Sequence, residues 1–340
     1  MFNLRTIPLL LLCIDVASSL AFQMPKLRMP WDPSSSPTSD TGALKPGDTI
    51  AVIGASGNVG KLVALRLSDT YKVNGVVRDV AASASFFGDK NVELFQSDLL
   101  DELDCDSGCP PSLLPALKGA NAIVICTGTT AFPTKAWSRN EQKEVTSDVI
   151  SSLLQSKFNV KQAIESLDEL GLNTPYNIDA RANQLIYSAW NSACSVVQKR
   201  AILLSSIGVQ RRDQMPFPIL NACGVLDAKA IAEQSLIDNA KENGYSYTIV
   251  RPGQLFGGPY DNNYYLGTLF QLDKDSDTQD VEVGLGDELL GDTLRSTLAE
   301  VTAQICEGGL GLNTDFTVVN VKGDAPSGEG LKEKIKLLVE

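Results

Sequence analysis

From Asp48 onward, short apolar runs alternate with segments whose apolar residues recur at helical spacing. Strands are predicted at 49–53, 72–77, 91–95, 122–126, 201–205 and 247–251, most of them β-branched and apolar, as strands buried on both faces are. Helices are predicted at 61–67, around 113–118, at 176–190 and at roughly 222–242. In the third of these, Ile178, Ala182, Leu185, Ile186 and Ala189 fall on one face. Such alternation predicts an α/β fold with a doubly wound parallel sheet. After Pro252 the rhythm changes. A strand is expected at 281–283, then a helix at 292–306 that aligns Leu294, Leu298, Val301 and Ile305, with Asp292 as its cap. A last strand at 316–321 and an amphipathic helix at 331–339 close the chain, so that about 254–340 forms a small C-terminal, substrate-side region. The connection after the fourth strand, about 137–174, far exceeds the two to six residues usual for such loops. It carries helical periodicity of its own and reads as a helical insertion.

The strand at 49–53 runs into Gly54-Ala55-Ser56-Gly57-Asn58-Val59-Gly60 and then a helix, the order a dinucleotide-binding turn requires. One glycine makes the tight turn, one admits backbone N–H groups to a pyrophosphate, and one lets helix and strand pack closely. Gly54, Ser56, Gly57, Asn58, Val59 and Gly60 are therefore candidate cofactor-binding residues, with the helix N-terminus supplying partial positive charge. Arg78 follows the second strand, where an acidic residue would accept from a ribose 2′-OH and select NAD(H). A planar cation suits a 2′-phosphate instead, which favours NADP(H) over NAD(H), although Asp79 stands beside it.

Composition removes several function classes. The formal charge of −12 argues against sequence-independent binding to nucleic acid or to an anionic membrane. The chain has no histidine, which excludes Ser-His-Asp and Cys-His mechanisms and histidine-ligated metal; no CxxC pair suggests zinc, and no metal site is expected. Residues 1–21 read as a secretory-type signal, with Arg5 before an apolar stretch too short for a permanent span. The segment around Ala21-Phe22 resembles the cleavage site of bipartite plastid presequences. Residues 22–46, rich in Ser, Thr and Pro and poor in acids, then read as a transit peptide or linker ahead of an NAD(P)-binding domain at 47–340. Plain secretion is the alternative. Cys105 and Cys109, in a polar loop, read either as a small disulfide or as two loop thiols, and Cys126 as a small buried hydrophobe.

Together the blocks Gly54 to Gly60, Val76-Val77-Arg78, Ser97-Asp98-Leu99, Thr127-Gly128-Thr129-Thr130-Ala131-Phe132-Pro133, Leu204-Ser205-Ser206-Ile207-Gly208-Val209 and 247–253 resemble the atypical short-chain dehydrogenase/reductases. The likeness is to the NmrA-like and biliverdin reductase B-like group and its chloroplast NAD(P)-binding members. It implies a Rossmann-type fold whose C-terminal part closes over the nicotinamide end. It places Asp98 at the adenine amino group, Leu99 in the adenine pocket, Thr127, Gly128 and Thr129 along phosphates and ribose, and Pro252 beside the nicotinamide. The insertion is a departure, since the chloroplast members have a much shorter connection there.

Catalysis departs too. The superfamily's tyrosine, four residues before its lysine, donates a proton as hydride transfers. Here the block is Val225-Leu226-Asp227-Ala228-Lys229. Lys229 can still bind ribose hydroxyls, whereas Val225 cannot transfer a proton. Ser206 stands where the substrate-orienting serine falls, and equally where a turn residue would. Ser206 and Lys229 are the candidate catalytic residues, with Tyr260, Tyr264 and Tyr265 as tyrosines that could reach the cleft. Two functions are open: a plastid oxidoreductase that reduces a small conjugated acceptor (flavin, quinone or tetrapyrrole) with a proton from elsewhere, or a non-catalytic NADP(H)-binding assembly factor that docks a plastid protein through the 137–174 insertion.

Overall fold

A computed structural model describes residues 42–103, 105, 108–139, 145–257 and 277–339. The signal segment, most of the presequence, and the tyrosines at 260, 264 and 265 lie outside the described residues. Among the described residues no helix is long and apolar enough to cross a membrane.

In chain order the first half runs β1 (Thr49–Ile53), α1 (Gly60–Leu67), β2 (Lys72–Val77), α2 (Val80–Phe87), β3 (Val92–Gln96), α3 (Leu114–Leu117) and β4 (Ala122–Ile125). Then come α4 (Thr146–Gln155), α5 (Val160–Glu169), a π-helical turn (Tyr176–Arg181) that leads directly into α6 (Ala182–Ala193), β5 (Arg200–Leu204), α7 (Phe217–Leu220), α8 (Val225–Asn243) and β6 (Ser246–Pro252). The last part holds β7 (Gln254–Phe256), β8 (Asp280–Leu285), β9 (Asp292–Leu294), α9 (Arg295–Gly308), β10 (Thr314–Val321) and α10 (Gly328–Val339).

The main sheet has the order β3-β2-β1-β4-β5-β6-β10-β8 and is parallel except for β8, which runs antiparallel to β10. This is the Rossmann-type architecture expected. Alternation along β1 explains the two layers. Ile50 and Val52 pack with Val63, Leu67, Leu298, Val301 and Ile305 on one face. Ala51 and Ile53 pack with Leu113, Leu117, Ile186, Trp190 and Leu236 on the other. Strand order reverses between β1 and β4, so the crevice beyond their carboxyl ends is where such sheets bind ligands.

The insertion folds as α4 and α5 around Trp137, Val149 and Leu167, with Cys223 from the segment before α8 completing the cluster. Trp137 Nε1 donates to the Thr130 carbonyl (3.0 Å), and Asn173 Nδ2 donates to the Ala136 and Ser138 carbonyls (3.1 and 2.7 Å).

One expectation fails. Asp292 does not cap a helix: residues 292–294 form β9, paired with β7, and α9 starts at Arg295 without a side-chain cap. Tertiary partners claim this backbone. Thr293 Oγ1 accepts from Gly253 N (2.8 Å) and donates to the Val318 carbonyl (2.6 Å), while Leu294 N donates to Asn320 Oδ1 (2.7 Å).

Candidate functional site

The first wall is backbone. Gly54 follows β1 at φ 80°, in the left-handed region that favours glycine. The turn is tied to β2, since Gly54 N and Ala55 N both donate to the Val76 carbonyl (3.1 and 3.0 Å), and Gly57 N closes it onto the Gly54 carbonyl (2.9 Å). A Cβ on Gly60 would overlap that same carbonyl, so α1 can start this close only on glycine. No side chain caps α1, which leaves its positive end to an anion. Ser56, Asn58 and Val59 are half-buried and Gly57 is exposed, so the turn is within reach of a ligand.

The second wall follows β4. A Cβ on Gly54 would lie 3.1 Å from Thr127 Cγ2, which puts the two walls in contact. Two side chains four residues apart hold Thr127 to Thr129 in place. Thr127 Oγ1 donates to Asn183 Oδ1 (3.1 Å), and Thr129 N donates to Asp179 Oδ2 (3.2 Å). The other Asp179 oxygen accepts from Lys229 Nζ at 2.7 Å. A Cβ on Gly128 would sit 3.3 Å from Asp179 Oδ1 and 3.6 Å from Lys229 Nζ. The structure therefore brings Gly54, Thr127, Gly128, Thr129 and Lys229 together, with Asp179 between the last two. Asp179 is fully buried on the π-helical turn, and burial pushes its carboxyl up, against the pull of Lys229 and the Thr129 amide.

Sequence reasoning missed Asp179. The available signal was an acid three residues before Ala182 and seven before Ile186, on the face expected to be buried.

The adenine side is less simple than the resemblance implies. Asp98 lies just beyond β3, but Arg139, at the start of the insertion, binds both Asp98 Oδ2 (2.9 Å) and Asp101 Oδ1 (2.7 Å). Leu99 is buried against Leu113 and Leu117 in the core layer. Arg78 is exposed just past β2. Asp79 turns elsewhere: its carboxylate caps α2 by accepting from Ala82 N (3.0 Å).

On the substrate side, Ser206 Oγ donates to the Ile207 carbonyl (3.0 Å), and Ile207 N donates to the Pro252 carbonyl (2.9 Å), joining the turn after β5 to the end of β6. Glu233, one turn after Lys229 on α8, accepts from Ser205 Oγ (2.5 Å) and binds Arg251 (2.7 Å). Val225 is 5% exposed and packs with Ile207, Val209, Phe217 and Leu226. The position of the missing tyrosine is thus filled by an apolar cluster. Among the described residues Cys105 and Cys109 form no disulfide with each other, and burial, together with neighbouring Cys105, pushes the Cys109 thiol up, which lowers its reactivity.

The residues present fit a dinucleotide. The glycine turn would be filled by any Cβ at its closest point, α1 lacks a cap, and buried Thr129 Oγ1 has no hydrogen-bond partner among the described residues.

The chain is 29% identical over 219 residues to Protein TIC 62, chloroplastic, of Arabidopsis thaliana, a match that covers 62% of this chain and spans only 28% of that protein's length. It is 25% identical over 290 residues to the chloroplastic protein At2g37660 of the same plant, covering 84% of this chain and 72% of that one. Among solved structures, the oxidoreductase ylbE of Lactococcus lactis shares the fold, with a TM-score of 0.53 at 18% identity over 85% of this chain and 96% of its own. The profile of the family described as NAD(P)H-binding matches residues 54–283, well over half of the sequence, and the chain belongs to that NAD(P)H-binding family.

Proposed function

We propose that the protein is an NADPH-using oxidoreductase of the plastid that reduces a small conjugated acceptor without the superfamily's usual catalytic tyrosine. The observation that carries this reading is the continuous line from the Gly54 turn through Thr127 and Gly128 to Lys229. In it, the turn and the start of α1 would hold the pyrophosphate, Thr127 to Thr129 the phosphate and ribose edge, and Lys229 the ribose hydroxyls. When bound, such a cofactor supplies hydride. Arg78 supports the 2′-phosphate, and the neighbouring carboxylate that could have favoured NADH is engaged as the cap of α2. Val225, packed among apolar side chains, offers no proton, so a delocalised acceptor that takes its proton from solvent suits the site. The chloroplast relatives and the Ala21-Phe22 segment support the plastid. Calorimetric titration of the chain with NADPH and, in parallel, NADH tests the reading: micromolar binding that prefers NADPH is expected, and binding of neither removes it.

One observation favours a second reading, a non-catalytic NADP(H)-binding assembly factor. Ile150 and Leu154, on one face of α4, and nearby Phe158 and Leu170 are exposed on the insertion (47%, 59%, 57% and 62%). Their replacement by serine in the plastid-targeted chain separates the two. Loss of co-purifying plastid protein with cofactor binding intact favours assembly; unchanged partners leave the oxidoreductase.

A further inference from the structure

Lys229 has a flexible side chain, yet that side chain is only 13% exposed and its ammonium is already held in one place. The holder is a carboxylate with no exposed surface, and both of its oxygens accept: one from Lys229 (2.7 Å), the other from the Thr129 amide (3.2 Å). Acceptance at both oxygens is the geometry of an ionised group, and a buried charge of this kind persists only when it is paired and hydrogen-bonded. Asp179 therefore joins two cofactor-facing elements that come from different parts of the chain, the segment after β4 and the first turns of α8. Its own backbone is fixed from the same side, since Asn183 Nδ2 donates to the Asp179 carbonyl (2.8 Å) while Asn183 Oδ1 holds Thr127. The π-helical turn places it there: such turns insert an extra residue into a helix and occur often at functional sites.

We propose that Asp179 is a positioning residue: it presents Lys229 to the nicotinamide-side half of a dinucleotide by pinning the ammonium against Gly128. The proposal rests on the cofactor reading above. Fixing a long cationic side chain in advance removes the rotamer entropy that binding would otherwise cost, and a second oxygen on the Thr129 amide keeps the lysine and the loop in register. The pairing has a further consequence. The lysine's charge is matched by a carboxylate at hydrogen-bond distance, so it is not directed at residue 225, where valine replaces the hydroxyl it would otherwise acidify. The loss of the tyrosine and the capture of the lysine describe the same site: one that binds the cofactor and has no acid at residue 225.

Equilibrium binding to the full chain tests the role with two probes. NADPH spans both halves of the site, and adenosine 2′,5′-bisphosphate occupies only the adenine half. Asp179→Asn is expected to weaken NADPH about tenfold and adenosine 2′,5′-bisphosphate less than about twofold, as is Lys229→Met. In the double variant, NADPH binding should be no weaker than in Lys229→Met alone, because Asp179 acts through Lys229. Equal losses for both probes, or losses that multiply in the double variant, overturn the positioning role and give Asp179 a purely structural one. Should either single variant fail to fold, the double variant, in which neither the buried acid nor its cation is left unpaired, still decides: a loss confined to NADPH is expected, and equal losses for the two probes overturn the role. Failure of the unaltered chain to bind NADPH overturns the cofactor reading, and this role with it.

Discussion

On the β1 side of the cleft the backbone forms the site; on the α8 side paired side chains form it. The Gly54–Gly60 turn admits no Cβ at its closest point and leaves α1 uncapped, so it is shaped by what it must not contain. Across the cleft, Lys229 is paired to Asp179 and Val225 is packed into Ile207, Val209, Phe217 and Leu226. On the proposed reading, the difference separates binding from acid catalysis: the glycine turn, Thr127 to Thr129 and Lys229 would hold a hydride donor, while Val225, at the superfamily's tyrosine position, lies in an apolar cluster.

The comparison breaks most sharply at Gly60. Alanine there would overlap the Gly54 carbonyl, and neither partner can yield without moving backbone. Gly60→Ala should lower NADPH affinity by about a hundredfold or more and destabilise the fold by about 3 kcal/mol, read by titration and by urea unfolding. Retained affinity would mean that the turn does not approach the pyrophosphate.

Next is the choice of cofactor. Removal of a guanidinium that binds a 2′-phosphate costs about 1.5–3 kcal/mol, so Arg78→Ala should weaken NADPH roughly ten- to a hundredfold and leave NADH nearly unchanged. Parallel losses would move the 2′-phosphate away from Arg78.

Restoring the tyrosine sharpens the other side. Val225→Tyr must force an aromatic ring into a packed cluster that includes Phe217 and Ile207, at a cost of about 1–3 kcal/mol. With Lys229 already paired, the variant should gain no NADPH-dependent carbonyl reduction in a steady-state assay. A gain would show that the acid position is still within reach of substrate.

How much of this was legible in the sequence follows from where the information lies. The central strands β1 and β4 announce themselves because burial on both faces demands unbroken apolar runs, and the glycine turn does so because only glycine meets its steric limits. Lys229 is legible as a candidate from its place in a local block. Asp179 was not, because a buried carboxylate is legible only through its partner, and that partner is fifty residues away in sequence. β9 was misread as helix for a similar reason. Its residues carry helical spacing into α9, but Thr293 and Leu294 are claimed by Val318 and Asn320 across the sheet. Arg200 carries no sequence sign of its fully buried place, where its guanidinium donates to the Ile305 carbonyl (3.0 Å) and to Thr248. The insertion is legible in its length and helical periodicity, whereas its anchoring through Trp137 and Asn173 requires tertiary structure.

The smallest effect concerns how the insertion is tied to the site. Asp168 at the end of α5 accepts from Thr174 Oγ1, and its backbone carbonyl accepts from Nδ2 of Asn177 (2.9 Å), the second residue of the turn that carries Asp179. Burial pushes the Asp168 carboxyl up to about 6, with Glu165 and Glu169 adding to the shift and Thr174 and Arg181 opposing it. The folded chain therefore holds this proton at a pH where the unfolded chain has released it, so the group adds stability as pH falls from about 7 towards 4 and withdraws it on the way back. Asp168→Asn, always neutral, should remove that slope: the difference in Tm between the variant and the unaltered chain should favour the variant at pH 7.5 and shrink towards pH 5. A difference independent of pH would show that Asp168 is not buried enough to feel its own charge. The insertion would then be joined to the π-helical turn by Asn177 and the packing around Trp137 rather than by this carboxyl.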